Sequence, residues 1–143
     1  MTGALDDPYD LARFVDAQEP IYAKAVEELA AGHKRSHWMW FIFPQLEGLG
    51  SSAMAHRYAI RSLAEAAAYL AHPVLGARLN QCVGLVNGVE GRGAREIFGH
   101  PDDLKFHSSL TLFAAAAPQE PLFAGALRKF FADRRDPLTL AKL

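Results

Sequence analysis

The sequence predicts an all-α, single-domain protein, and three observations support this prediction. The chain contains 25 Ala and 18 Leu but only 4 Ile, 6 Val and 3 Thr. This balance favours helices, because β-branched side chains fit pleated sheets better. Half of the 143 residues are hydrophobic, which suits one core of ordinary domain size. Several segments also repeat apolar residues at helical spacing. We expect one domain over residues 1–143, with residues 1–6 disordered.

Four dipeptides that end in proline predict helix starts, since each stands just before a segment of helical periodicity. They are Asp7-Pro8, His72-Pro73, His100-Pro101 and Asp136-Pro137. Proline suits the first helical position because its missing N–H has no partner there, and aspartate is a good N-cap acceptor. Ser62 followed three residues later by Glu65 has the pattern of a capping box and predicts a fifth start. Gly32 is expected to end a helix that begins near Pro20.

The helices that begin near Pro20, Pro73 and Pro121 are predicted to be amphipathic and to surround the core. In the first of them Lys24, Glu27 and Glu28 share the polar face. An apolar stripe opposite a polar face is typical of a helix that buries one side only. We therefore expect all three of these charged side chains to face solvent.

Two other segments are apolar around most of their circumference, Trp38 to Phe43 and Leu104 to Ala117. A helix without a polar face has to be buried on all sides. We expect these two helices at the centre of the domain, within a total of about seven or eight.

Charge and composition exclude several classes of protein. The 15 Lys and Arg nearly balance the 16 Asp and Glu, which argues against a nucleic-acid partner. The longest run of large apolar side chains has six residues, far fewer than the ~20 that span a bilayer. No basic and apolar leader stands at the N-terminus, and the lone Cys82 suits a reducing compartment. We predict a cytoplasmic protein with no membrane partner.

No pattern in the sequence indicates a cofactor or a metal ion. The glycines at 88, 91 and 93 match neither the dinucleotide fingerprint nor a P-loop. His33 and His37 are four residues apart, but Gly32 interrupts the helix that would bring them together. Cys82 lies on an apolar stripe, where we expect an inert, buried thiol.

The first candidate functional segment covers residues 34–52. Trp38 and Trp40 carry indole N–H groups that need a partner when buried, so we expect polar groups nearby. His37 and Gln45 could orient a ligand, and the glycines and serines from 48 to 52 could bring a helix N-terminus to an anion through Ser51. The alternative is that Ser51 or Ser52 only caps that helix.

The second candidate segment is the helix after Pro101. Lys105 precedes Ser108 and Ser109 by three and four residues, so an ammonium and two hydroxyls can share one face and hold an anion. A lysine of lowered pKa could also activate a serine. The alternative is structural, with the hydroxyls bonded to the preceding turn and Lys105 paired with Asp102.

The motifs at Ser36–Ser52, Ala68–Gly76, Ile97–Gly99 and Asp103–Phe113 together resemble a small bacterial family of unknown function, whose members are sometimes labelled calpastatin-like. The resemblance runs from about Leu11 to Leu140. It implies an all-α fold of helices packed as antiparallel pairs in a compact superhelical arrangement, and it implies no catalytic residues. The label itself suggests a disordered inhibitor, which does not suit a chain patterned like a packed globule.

The sequence supports one main hypothesis and two alternatives. The main one is a small anionic ligand, nucleotide-like or phosphorylated, held between residues 37–52 and the helix at 104–113 by a set of polar and aromatic side chains. These are His37, Trp38, Gln45, Ser51, Lys105, Ser108 and Ser109. If chemistry occurs, His37 or His56 would serve as general acid or base. The alternatives are a non-enzymatic protein-interaction module, and nucleic-acid binding through Lys34, Arg35, Arg57 and Arg61.

Overall fold

The computed structural model describes residues 7–143, and the expectation for residues 1–6 lies outside that range. The helices are α1 (Ala12–Gln18), α2 (Tyr22–Ala30), α3 (Met39–Ile42), α4 (Ala53–Arg57), α5 (Leu63–Ala71), α6 (Leu75–Asn87), α7 (Ala94–Phe98), α8 (Asp102–Ala116), α9 (Pro121–Phe131) and α10 (Pro137–Lys142). Between residues 7 and 143 there is no β-strand, and Leu46 and Ile60 form an isolated parallel bridge. The all-α prediction is confirmed. Residues 7–143 form ten helices rather than seven or eight, and three of the ten, α3, α4 and α7, are single turns of four or five residues.

The four proline-marked starts all lie at or just before a helix. α10 begins at Pro137 and α8 directly after Pro101, while α6 begins two residues after Pro73. α1 begins four residues after Pro8, because a turn comes first and Asp7 accepts hydrogen bonds from the N–H groups of Leu11 and Ala12.

The predicted caps of α5 and α2 are also present. Ser62 accepts a hydrogen bond from the N–H of Glu65 at 3.0 Å. The Glu65 carboxylate accepts from the N–H of Arg61 rather than that of Ser62, so the box is shifted by one residue. Gly32 follows α2 with φ of 71°, a left-handed conformation that favours glycine.

Helix α8 lies at the centre of the domain and packs against α5, α7, α9 and α10. Its side chains Phe106, Leu110, Leu112 and Phe113 are buried, as predicted. The first turn departs from the prediction, because Leu104 is 53% exposed. The apolar segment is thus covered on all sides only from its second turn onwards.

The other segment predicted to be central forms the short helix α3, which packs against α1. Met39, Phe41 and Ile42 are buried, and Trp40 is half-buried. Among residues 7–143 no helix is both long and apolar enough to cross a membrane.

Candidate functional site

A cavity of about 480 Å³ lies between the loop that follows α3, the first two turns of α8 and the start of α10. This volume is within the range of small-molecule sites. Its polar lining consists of Gln45, Ser51, Ser52, Lys105, His107, Ser108 and Asp136, and its apolar lining of Leu49, Gly50, Ala55, Pro101, Leu104 and Leu138. Leu104 and Leu138 are 53% and 67% exposed. The cavity thus combines polar groups with two leucines that solvent can reach.

Two backbone hydrogen bonds fix the loop that forms one wall of this cavity. The N–H of Ile60 donates to the carbonyl of Gln45 at 2.9 Å, and the N–H of Glu47 donates to the carbonyl of Ile60 at 2.8 Å. Ile60 is fully buried, so the core anchors this pairing. The residues between, which include Ser51 and helix α4, are therefore held as a closed loop against α8.

Ser52 has the structural role that the sequence left open. Its hydroxyl accepts a hydrogen bond from the N–H of Ala55 at 3.1 Å and caps α4. Helix α4 has only five residues, so few aligned peptide dipoles stand behind its first turn. We therefore assign no anion-binding role to this helix start. The group of the cavity lining that can attract an anion is the ammonium of Lys105.

The ammonium group of Lys105 is only loosely neutralised. It lies 3.6 Å from Asp102, whose other oxygen forms a closer ion pair with Lys34 at 2.9 Å. It also lies 5.4 Å from the centre of the Trp40 ring, within the range of a cation–π interaction. Because two lysines share the Asp102 carboxylate, the positive charge of Lys105 is only partly neutralised and can attract an anionic ligand.

Another part of the cavity lining is a fixed carboxylate at the start of α10. Oδ2 of Asp136 accepts hydrogen bonds from the hydroxyls of Thr139 at 2.6 Å and Ser108 at 2.9 Å, and from the N–H of Thr139 at 3.3 Å. Burial on its own would raise the pKa of Asp136, but these hydrogen bonds outweigh burial and lower the pKa below its ordinary value. The cavity therefore contains an ionised aspartate at neutral pH.

His107 also lines the cavity, and its ring is held by one hydrogen bond and one stacking contact. Its Nε2 donates to the carbonyl of Arg134 at 2.7 Å, and the ring stacks on Phe131 at 4.1 Å. A carbonyl only accepts hydrogen bonds, so Nε2 must carry the hydrogen. His107 is thus a fixed part of the cavity lining.

The structure brings four of the seven sequence-selected residues to this cavity: Gln45, Ser51, Lys105 and Ser108. His37 is exposed and lies outside the cavity lining, and Ser109 is buried with no hydrogen-bond partner for its hydroxyl among the described residues. Ser108 and Ser109 are neighbours on α8, but they turn to different surroundings because adjacent helical residues differ by about 100° in direction.

Trp38 differs most from its predicted role, because its ring is fully buried and cannot stack on a ligand. Its indole N–H donates to the carboxylate of Glu28 at 3.0 Å. The same carboxylate accepts from the N–H groups of Arg35 and Ser36 at 2.7 and 2.9 Å, and from the Ser36 hydroxyl at 2.6 Å. The expected polar partner exists, but it is a protein side chain.

Glu28 also corrects the predicted polar face of α2. It was expected in solvent with Lys24 and Glu27, yet it is only 5% exposed. The loop after α2 folds back over the helix, because the Glu28 carboxylate satisfies the N–H groups of that loop. Burial would raise the pKa of Glu28, but the hydrogen bonds from Ser36, Arg35 and Trp38 lower it to about 2.

A second cavity of about 560 Å³ lies near the N-terminal side of α1, and His56 and Arg57 line it together with Arg13 and Arg61. All five N–H groups of Arg13 are already bonded, to the Glu65 carboxylate and to four backbone carbonyls. Arg61 pairs with Glu47 at 3.5 Å. This cavity is larger than the first, and Arg57 has no ion-pair partner among the described residues. We favour the first because four of the seven residues selected from the sequence line it, whereas none of the seven lines the second.

The contacts give no sign of serine activation by lysine. The Ser108 hydroxyl is bonded to the Leu104 carbonyl at 3.1 Å and to Asp136, so the structural alternative describes it correctly. In the described part of the chain no group of three or more His, Cys, Asp or Glu is placed to hold a metal ion. Cys82 is buried, and burial raises the pKa of its thiol to about 11, as expected of an inert thiol.

Sequence reasoning missed Asp136, His107 and Leu138 as parts of this site. The Asp136-Pro137 pair was recognised only as a helix start. A cap residue with an ionisable side chain is a weak signal for binding, because most such residues only cap. No local pattern shows that α10 returns to α8 across 28 residues of chain.

Comparisons with known proteins give a family and a solved structure. The family described as "Protein of unknown function (DUF1810)" matches residues 8–143. The crystal structure of the conserved hypothetical protein Rv1873 from Mycobacterium tuberculosis is similar, with 58% sequence identity and a TM-score of 0.95, over 96% of this chain and 98% of that chain. No curated protein matches the chain.

Proposed function

Because the chain belongs to the DUF1810 family, whose description leaves function open, we propose its function from its own side chains: it binds a small molecule that carries an anionic group. The observation that supports this proposal most is the convergence of Gln45, Ser51, Lys105 and Ser108 on one cavity of about 480 Å³. These four residues come from two segments about 60 residues apart in sequence, and each side chain can bind an anion or a hydrogen-bonding group.

Lys105 is the residue that we assign to the anion. Its nearest carboxylate is shared with Lys34, and the Trp40 ring below it favours the charged ammonium. Gln45 and Ser51 offer neutral hydrogen-bonding groups from the facing loop, and the exposed Leu104 and Leu138 offer apolar contact. Nucleotides, sugar phosphates, ADP-ribose-like compounds and small carboxylates are the compounds to screen first.

The test is a thermal-shift screen followed by calorimetric titration of each compound that binds. A ligand at ten times its Kd stabilises the folded state by about 1.4 kcal/mol and should raise the Tm by about 5 °C. Lys105→Met should weaken binding about 10- to 100-fold, because a hydrogen bond to a charged group contributes about 1.5–3 kcal/mol.

Lys24→Met is the matched control, since it removes the same charge from an exposed position on α2. We expect its affinities to equal those of the unmodified protein. The proposal is wrong if no compound binds, or if Lys105→Met and Lys24→Met bind every anion equally well.

A protein-interaction module is the second candidate function, and the exposed leucines favour it. Leu138, Leu140 and Leu143 lie in or directly after α10 and are 42–67% exposed, and Leu104 lines the cavity together with Leu138. Neighbouring exposed apolar side chains often mark a docking surface. Leu138→Ser would weaken such docking strongly, whereas Lys105→Met would leave it nearly unchanged.

We further propose a bacterial, cytoplasmic setting for the protein. The buried, unpaired Cys82 and the similarity to a mycobacterial protein support this. The packed helical core argues against the disordered inhibitor that a calpastatin-like label suggests. Fractionation of cells that express the tagged chain would test the location.

A further inference from the structure

Two opposite charges line the candidate cavity without pairing with each other. Lys105 and Asp136 both belong to its lining. Among residues 7–143 Lys105 forms an ion pair with Asp102 only. The two charged groups are therefore more than 4.0 Å apart, so a ligand can contact both without breaking an ion pair between them.

One oxygen of the Asp136 carboxylate accepts several hydrogen bonds, and the other accepts none from the described residues. All three hydrogen bonds that it accepts, from Ser108 and from two groups of Thr139, go to Oδ2. Oδ1 has no hydrogen-bond partner among the described residues. These bonds also hold the carboxylate in a fixed position at the start of α10, so Oδ1 is a preorganised acceptor on a residue that lines the cavity.

The balance of charge restricts the ligand. The cavity lining contains one lysine and one aspartate and no other Lys, Arg, Asp or Glu, so the charges of these two side chains cancel. A ligand with two negative charges would gain from Lys105 and be repelled by Asp136. A ligand with one charge of each sign would gain from both.

We infer that the cavity binds a zwitterion of the amino-acid type, with its carboxylate or other anionic group on Lys105 and its ammonium group on Oδ1 of Asp136. This inference rests on the proposed function, to which it adds the second charged group. The exposed Leu104 and Leu138 would contact the hydrocarbon part of such a ligand. Multiply charged nucleotides and sugar phosphates become the poorer ligands.

The experiment compares zwitterions with analogues that lack one charge. The standard α-amino acids and the ω-amino acids from glycine to 8-aminooctanoate are screened by thermal shift, each beside its des-amino acid and its decarboxylated amine. Calorimetry then gives Kd values for the best set of three. We expect the zwitterion to bind at least tenfold more tightly than either analogue.

Asp136→Asn tests the assigned carboxylate without removing the helix cap, because asparagine caps helices about as well as aspartate. The three donors on Oδ2 require an acceptor, so the amide oxygen should take that position and the NH₂ group should replace Oδ1. The preference of the zwitterion over its des-amino analogue should then fall to about one. Asp133→Asn, which neutralises a nearby exposed aspartate outside the cavity, should leave the preference unchanged.

The outcomes separate this inference from the proposed function. Equal binding of the zwitterion and the des-amino acid, with both lost in Lys105→Met, would overturn the inference and leave the anion site standing. Absence of binding by every compound would overturn both. If Asp136→Asn unfolds, Lys105→Met provides the second test, since it should abolish the preference of the zwitterion over the amine, so that the two bind about equally.

Discussion

Glu28 shows how a single carboxylate can determine the course of a loop. It accepts four hydrogen bonds from residues 35–38 while only 5% exposed. A buried charge is tolerable when its hydrogen-bonding capacity is filled. Glu28 therefore fixes the segment that leads into α3, and it explains why a tryptophan rather than a leucine stands at position 38.

We predict that Glu28→Gln destabilises the protein by about 2–3 kcal/mol at pH 7, because a neutral amide replaces charge-assisted hydrogen bonds. The pKa of Glu28 is lowered from 4.5 to about 2 in the folded state. Its contribution is thus complete above pH 4.5 and is lost as the pH falls from 4.5 to 2. The difference in unfolding free energy from the unmodified protein, measured in urea, should shrink over that range.

Glu27→Gln is the matched control, since Glu27 is the residue before Glu28 and its own side chain is exposed. It should change the unfolding free energy by less than about 0.5 kcal/mol. A Glu28→Gln difference that stayed constant between pH 7 and pH 2.5 would contradict the role of its charge.

Helix α6 contains two glycines, of which one is closely packed and the other faces open space. A Cβ atom on Gly76 would lie 2.1 Å from the carbonyl oxygen of Leu70, so the close approach of the α5 and α6 segments requires glycine there. A Cβ atom on Gly84 would meet nothing within 4 Å. One glycine is needed for packing and the other is not.

Gly76→Ala should therefore destabilise the protein by about 2–3 kcal/mol, because a backbone carbonyl cannot move aside without shifting a helix. Gly84→Ala should stabilise it by about 0.5–1 kcal/mol, since alanine has the higher helix propensity and the space is open. Thermal and urea unfolding of both variants would check this. Equal effects of the same sign would refute the packing argument.

Local patterns predicted most elements, because a helix start depends on residues within one turn of it. Asp136 and Ser62 cap α10 and α5 as their patterns indicate, and Gly32 ends α2. The segments of α3 and α4 are also indicated, the latter by its Ser52 cap. The same rules give no sign of α7, whose five residues are too few for a period of 3.6 to stand out.

For the whole molecule, Arg13 connects parts of the chain that are far apart in sequence. Its guanidinium donates to the carbonyls of Arg57 and Ala59 and forms an ion pair with Glu65 at 2.9 Å. The Arg13 and Glu65 side chains are only 12% and 3% exposed. This one side chain thus joins α1, the end of α4 and α5.

We predict that Arg13→Lys lowers the unfolding free energy by about 3 kcal/mol, because an ammonium has three donors for five acceptors and leaves the buried Glu65 poorly paired. The Tm should fall by about 10 °C. Arg61→Lys is the control, since its pair with Glu47 is long and exposed, and its effect should stay below about 1 kcal/mol. Similar losses in both variants would contradict a special role for Arg13.

Composition and local patterns predict the all-α class, most helix starts and two of the three segments that line the site. These properties depend on composition and on neighbours within a few residues. Tertiary structure decided the site itself, because α8 is apolar around most of its circumference and its pattern does not say which way Lys105 and Ser108 point. Only the packing of the 45–60 loop and of α10 against α8 placed Gln45, Lys105 and Asp136 around one cavity and left Trp38 in the core.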